Sequence, residues 1–151
     1  MRHPFEAKKV DTWDARFMAL ASHCAEWSKD PSTKVGAVIV DDLRIPQALG
    51  YNGFPRGVDD SPEKYADREV KLPRVVHAEL NAILNANGSV RGSSLYVTLP
   101  PCSSCACAII QAGIRRVVLS RPGAEVAPHW REQWRISEEM FNEAGVEVKY
   151  V

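Results

Sequence analysis

This sequence has no excess of charge, no long apolar run and few cysteines, and each shortage removes a class of protein. Nineteen Lys and Arg balance nineteen Asp and Glu, whereas a chain that grips a nucleic-acid backbone usually carries a basic surplus. That balance argues against a nucleic-acid partner. No apolar stretch approaches the ~18 residues needed to span a bilayer, and residues 1–10 contain no signal-like apolar core. The reading is of a cytoplasmic protein with no membrane partner. In that compartment its four cysteines are expected to be reduced thiols or metal ligands. Internal repeats and low-complexity tracts are missing as well. The 151 residues thus read as one domain, 1–151, with 1–10 as a loose lead-in. A chain of this length buries roughly 70% of the surface its unfolded form exposes and needs no covalent staples.

Against that plain background one constellation stands out: His77-Ala78-Glu79, then Pro101-Cys102-Ser103-Ser104-Cys105. One imidazole and two thiols fill three corners of a tetrahedral zinc site, and a catalytic zinc keeps its fourth position for water. Cys102 and Cys105 fall on the first turn of one predicted helix, their side chains within roughly 60° of each other at ~3.6 residues per turn. Cys107 is rotated by roughly 200° from Cys105 on the same geometry and faces away. The competing reading is a closed structural clamp, which needs a fourth ligand. Cys24, Cys107, His3, His23 and His129 lack ligand spacing to this pair, so the open site is favoured. Helix N-termini aimed at the site help to keep the cysteines ionised. Glu79 is placed to move protons beside the metal without binding it.

The remaining pattern supplies a scaffold. Trp13, Phe17, Leu20, Ala21 and Cys24 recur at helical spacing after an N-cap at Asp11 or Thr12, which makes Cys24 a core thiol. A β-branched run at 35–40 predicts a central strand, with Gly36 marking a close approach to its backbone. Residues 44–51 form its hairpin partner, and Pro46 points to the sheet edge. The span 52–73 reads as a long polar loop, of the kind that is functional or mobile. Helices follow at 75–87, 103–111 and 130–144, alternating with strands at 94–98, 114–120 and 146–151. This order predicts an α/β fold in three α-β-α layers. Its five-stranded mixed sheet has strands three, four and five parallel. The N–H groups of Ala78 and Ser103 open their helices and are free, on this reading, to hold a base carbonyl or an oxyanion.

The His-x-Glu and Pro-Cys-x-x-Cys pair is the signature of zinc-dependent base deaminases. Together with Ser28-Lys29-Asp30, Val35 to Val40, Gly50-Tyr51-Asn52-Gly53-Phe54-Pro55-Arg56-Gly57 and Tyr96 to Cys105, the chain resembles the deoxycytidylate (dCMP) deaminase family of the cytidine deaminase-like superfamily. The likeness runs from about Trp13 to Val148. It implies zinc held by His77, Cys102 and Cys105, with Glu79 carrying protons between water and N3 of cytosine. The implied reaction is hydrolysis of dCMP to dUMP and ammonia, which feeds dTMP synthesis. Deamination of dCTP, or of bases in tRNA or single-stranded DNA, is the alternative. The resemblance further implies that Asn52 contacts sugar and base, that Val35 and Gly36 line the pocket, and that Ser28 with Lys29 grips phosphate. Where the family carries a tyrosine-containing loop this chain reads Ser120-Arg121-Pro122, leaving Arg121 to meet a phosphate. Homohexamers, with dCTP and dTTP as effectors acting through a site with Mg²⁺, are also implied.

Overall fold

The computed structural model describes residues 12–151; the N-terminal lead-in and Asp11 lie outside them. Helix α1 (Trp13–Ala25) is capped by Thr12, whose hydroxyl accepts the Ala15 N–H at 3.1 Å. Its buried face is Phe17, Met18, Ala21, Cys24 and Ala25. Trp13, expected on that face, is instead 43% exposed, stacked on Phe17 beneath the guanidinium groups of Arg16 and Arg44.

Strands β1 (Gly36–Val40) and β2 (Pro46–Tyr51) form the antiparallel hairpin, with β2 at the sheet edge. The second strand starts later than the expected 44 because Arg44 adopts a left-handed turn conformation at φ 65°. Asp41 holds that turn by accepting the N–H groups of Leu43 and Ile45, both at 2.9 Å. Strand β3 (Ser94–Val97) pairs antiparallel with β1 and parallel with β4 (Arg116–Leu119), which pairs parallel with β5 (Glu147–Tyr150). The order is β2-β1-β3-β4-β5. The mixed five-stranded sheet with parallel β3, β4 and β5 is the expected one.

Alternation along the strands divides the core in two. Val38, Val40, Tyr96 and Val118 point to one face and meet Phe17, Met18, Ala21 and Cys24 of α1. Ala37, Ile39, Leu95, Val97, Val117 and Leu119 point to the other face. There they meet α4 (Ala78–Asn85), α5 (Ser103–Gln111) and α6 (Pro128–Glu143) through Ala82, Ala106, Ile109 and Phe141. Helix α6 starts at Pro128, before the expected Trp130, since a proline at the first helical position sacrifices no hydrogen bond.

The span 52–73 is not the structureless loop that its polarity suggested. It contains two short helices, α2 (Pro62–Ala66) and α3 (Arg68–Lys71). Asp67 ends the first and caps the second, accepting the N–H groups of Glu69 and Val70. Phe54 stacks on Tyr65 with ring centroids 4.3 Å apart, and Lys71 Nζ reaches the buried Asp30 carboxylate at 3.1 Å. A ring stack and an ion pair thus stand in for the apolar periodicity that this segment lacks. Among the described residues no helix is long and apolar enough to cross a membrane.

Candidate metal centre

The parallel strand β3 delivers the chain to one end of the sheet, and Pro100-Pro101 forbids it to continue as a strand. Cys102 then takes an extended conformation (φ −69°, ψ 168°) as the N-cap of α5, and Cys105 follows on the first turn. His77 holds the same position on the neighbouring helix: it is the N-cap of α4 (φ −69°, ψ 154°), which starts at Ala78, not at the expected 75. Before it, Val76 bridges Gly53, so the backbone is still extended there. Two helix starts therefore converge, and the His77 Nδ1 lies 3.5 Å from Cys102 Sγ and 3.4 Å from Cys105 Sγ.

These separations test whether the residues fit a metal. Zinc bonds of ~2.3 Å to sulfur and ~2.05 Å to nitrogen, at tetrahedral angles, put the two ligand atoms about 3.6 Å apart. The observed spacing matches, and all three ligand atoms lie within 4.8 Å of one another. Among the described residues this is the one cluster of three or more His, Cys, Asp or Glu side chains able to hold a metal. Cys107 is exposed and its sulfur faces Met140, while Cys24 is buried against α1's own core.

The protein groups alone already favour an ionised sulfur. Cys102 is pulled down to about 4 by the Cys105 thiol hydrogen-bonded to it, with His77 adding to the effect against the opposing pull of burial. Cys105 is raised, by its bond to Cys102 and by burial. The two thiols compete for one proton, and Cys102 is the one that releases it. Its hydrogen bond to Cys102 raises His77, opposed by burial. Glu79 sits on the first turn of α4, only 4% exposed, and burial pushes its carboxyl up to about 7. A carboxyl in that environment is suited to exchanging protons near neutrality.

The other residues singled out in the sequence divide into two groups. Ser28, Asn52 and Val35 form one network: Asn52 Oδ1 accepts the Val35 N–H at 2.8 Å, and its Nδ2 donates to Thr33 O at 2.9 Å. Ser28 Oγ donates to Asn52 O at 2.7 Å and is 2% exposed, so a phosphate could engage that hydroxyl only by displacing this bond. Lys29 is exposed and paired with Asp60 at 2.8 Å. Arg121 is exposed, with its guanidinium over the Tyr150 ring of β5.

One expectation is met and another needs correction. The close approach marked by Gly36 is made by a helix: a Cβ there would lie 1.9 Å from Ala21 O and 2.6 Å from Ala25 N of α1. And the Ser103 N–H is not free, because it donates to Gln133 Oε1 of α6 at 3.1 Å. The Ala78 N–H is one of the first in α4, which that helix's own turns cannot satisfy.

The chain is similar to known proteins. Residues 11–121 match the family described as cytidine and deoxycytidylate deaminase zinc-binding region. An uncharacterized deaminase of Aliivibrio fischeri is 42% identical over 142 residues, covering 94% of this chain and 95% of that protein. Human deoxycytidylate deaminase is 41% identical over 140 residues, covering 89% of this chain and 76% of the human protein. Among solved structures, the dCMP deaminase of cyanophage S-TIM5 in complex with dCMP and dUMP superimposes with a TM-score of 0.77 at 26% identity. That match covers 95% of this chain and 100% of the phage chain. The arrangement of His77, Cys102 and Cys105 and these likenesses agree, and the chain belongs to the dCMP deaminase family within the zinc-binding cytidine and deoxycytidylate deaminases.

Proposed function

We propose that this chain hydrolyses dCMP to dUMP and ammonia, a reaction whose product feeds dTMP synthesis. The observation that carries the reading is the buried Glu79 carboxyl beside the converging His77, Cys102 and Cys105 side chains. His77 Nδ1 and the two cysteine sulfurs hold zinc. When bound, the metal supplies the Lewis acidity that makes water a nucleophile near neutral pH. Glu79 takes a proton from the attacking water and delivers it to N3 of the cytosine ring. The water oxygen bonds to C4 as N3 is protonated; Glu79 then takes the second proton from that oxygen and hands it to the amino group, so that C4=O forms as the C4–N4 bond breaks and ammonia leaves.

The Ala78 N–H holds the base carbonyl, Asn52 orients sugar and base, and Val35 with Gly36 lines the pocket. Lys29 and Arg121 meet the phosphate by leaving Asp60 and Tyr150, their partners in this structure. The choice of dCMP draws on the human relative and on the dCMP and dUMP bound to the phage enzyme. Assembly as a homohexamer and control by dCTP and dTTP belong to the same proposal and rest on family resemblance. Mg²⁺ would enter only with such a triphosphate.

Ammonia release measured over dCMP, dCTP, deoxycytidine and a cytosine-containing oligonucleotide tests the reading. Turnover of dCMP in clear preference to the other three is the expected result. Preference for dCTP or the oligonucleotide would replace the substrate and keep the chemistry; no release from any would overturn both.

A further inference from the structure

A cysteine at the N-cap of a helix leaves a gap in the hydrogen bonding. Ser, Thr, Asp or Asn normally stands there and offers an oxygen to the first N–H groups. Cys102 has no side-chain oxygen to offer, and its sulfur is turned toward His77 and Cys105. An oxygen for the first N–H of α5 comes instead from α6. Gln133 Oε1 accepts the Ser103 N–H at 3.1 Å and the Ser103 hydroxyl at 2.7 Å. The amide's orientation follows from the chemistry, since a backbone N–H only donates and must face the oxygen. One turn further along α6, the buried Ser137 hydroxyl lies 2.9 Å from Pro101 O and 2.9 Å from Gln133 O and shares its one hydrogen between them.

Gln133 and Ser137 thus grip the residues on either side of Cys102: Pro101 before it and Ser103 after it. No other polar side chain among the described residues is recorded bonding to these two positions. Cys105, one turn into α5, moves with the same helix start. By contrast, His77 is carried on α4, which α6 does not brace in this way.

We infer that Gln133 and Ser137 are positioning residues for the metal centre, a two-point brace that fixes Cys102 and the start of α5 against His77. The inference rests on the reading that His77, Cys102 and Cys105 hold zinc. Groups that orient metal ligands typically change metal affinity by about 10–100-fold when removed. A residue that only glued α6 to the body of the protein would instead lower the stability of the whole chain and leave the folded site's affinity alone.

The test uses full-length protein loaded with zinc, and separately with Co²⁺, in the variants Gln133→Leu, Ser137→Ala, Gln133→Glu, Ser137→Thr and Met140→Ala. Met140 packs against the same core from α6 with its sulfur toward Cys107, and an apolar thioether cannot supply the hydrogen bonds that Gln133 and Ser137 make. Zinc transfer to a competing chelator and the visible bands of the cobalt form are recorded, with urea unfolding of each metal-free variant as reference. Gln133→Leu and Ser137→Ala are expected to release zinc at least about tenfold faster and to shift the cobalt–thiolate bands. Gln133→Glu and Ser137→Thr, which keep an acceptor and a hydroxyl, restore both readouts toward wild type. Met140→Ala lowers the urea midpoint without speeding release. Wild-type release rates in the first two variants, or equal acceleration by Met140→Ala, would overturn the brace while leaving the zinc site standing. A wild-type chain that takes up no zinc would remove the site and the brace together.

Discussion

Asp14 and Arg116 meet fork to fork: Asp14 Oδ1 lies 2.9 Å from Nη1 of Arg116, and Oδ2 lies 2.8 Å from its Nη2. The pair ties the first turn of α1 to the first residue of β4 across 102 positions of sequence. Tyr96 donates its hydroxyl to the same carboxylate at 2.8 Å, and Lys149 approaches it at 2.7 Å from β5. Both partners are largely shielded, with side-chain exposures of 12% and 17%. Bidentate geometry between planar groups is the strong form of such a contact.

Breaking this pair is costly because it leaves a largely shielded guanidinium with only the longer contacts to Glu147 and the Tyr96 hydroxyl, both at 3.4 Å. Asp14→Asn is expected to lower unfolding free energy at pH 7 by about 3 kcal/mol, the lower end for a buried pair that loses one partner. Urea unfolding measures it. The pH dependence has a definite sign. The hydrogen-bonded Arg116 guanidinium holds the folded Asp14 carboxyl well below its ordinary value, against the opposing effect of burial. In the unfolded chain that carboxyl titrates near ~3.9, so between the two values the unfolded state binds the extra proton. The contribution is complete above about pH 5 and drains away as pH falls through and below ~4. The gap between wild type and Asp14→Asn should narrow on acidification from pH 6 to pH 3. A gap that stayed constant would mean the carboxylate contributes nothing through its charge.

Glu79→Gln separates metal binding from proton transfer. Its amide has nearly the shape of the carboxyl, so the ligand set of His77, Cys102 and Cys105 stays intact. What disappears is the group that accepts and returns protons, worth about 10²–10⁴-fold in rate when a positioned acid-base is lost. The expected outcome is one zinc per chain by metal analysis with ammonia release from dCMP reduced by at least that range. Retained turnover would assign the proton work elsewhere.

The zinc centre was legible because its parts are local. His77 with Glu79, and Cys102 with Cys105, each lie within one turn of a helix start, and helix starts are written in nearby residues. The sheet was legible for a similar reason, since strands joined through helices must run parallel. What joins distant segments left little trace. Nothing near Gln133 announces that its amide caps a helix 30 residues earlier. The 52–73 span illustrates the same limit: its folding leans on Lys71 reaching Asp30, 41 residues away. Its local signals, Ser61-Pro62 and the Asp67 cap, were short enough to pass for turn chemistry. Gly36 gave a true signal with an open meaning, since a close approach in sequence does not say what approaches.

Cysteine substitutions should divide cleanly by position. Cys102→Ser and Cys105→Ser remove a soft ligand from the trio and are expected to lose zinc and activity together. Cys107→Ser, on the exposed side of α5, should keep both. Zinc stoichiometry of the three purified variants measures this directly. Loss of metal from Cys107→Ser would contradict the assignment of ligands.

Gly36→Ala tests how tightly α1 is pressed onto β1. The added methyl would sit 1.9 Å from Ala21 O and 2.6 Å from Ala25 N, both backbone atoms that no rotamer change can move. Gly50→Ala repeats the experiment on the other face, where Ala78 O of α4 stands at 2.3 Å and Ala82 N at 2.5 Å. Helix and strand must separate in either variant, at a cost of about 1–3 kcal/mol or more for overpacking of this kind. The two differ in what separates. Gly36→Ala displaces α1, which carries none of the proposed zinc ligands, so it should lower stability and leave zinc retention unchanged. Gly50→Ala displaces the first turn of α4, next to His77 and Glu79, and should reduce zinc retention and turnover as well. Gly123→Ala, with nothing within 4 Å, is the neutral control. Unfolding midpoints and zinc retention recorded side by side decide it: equal zinc loss in Gly36→Ala and Gly50→Ala would mean that α4's seat on the sheet does not govern the position of His77.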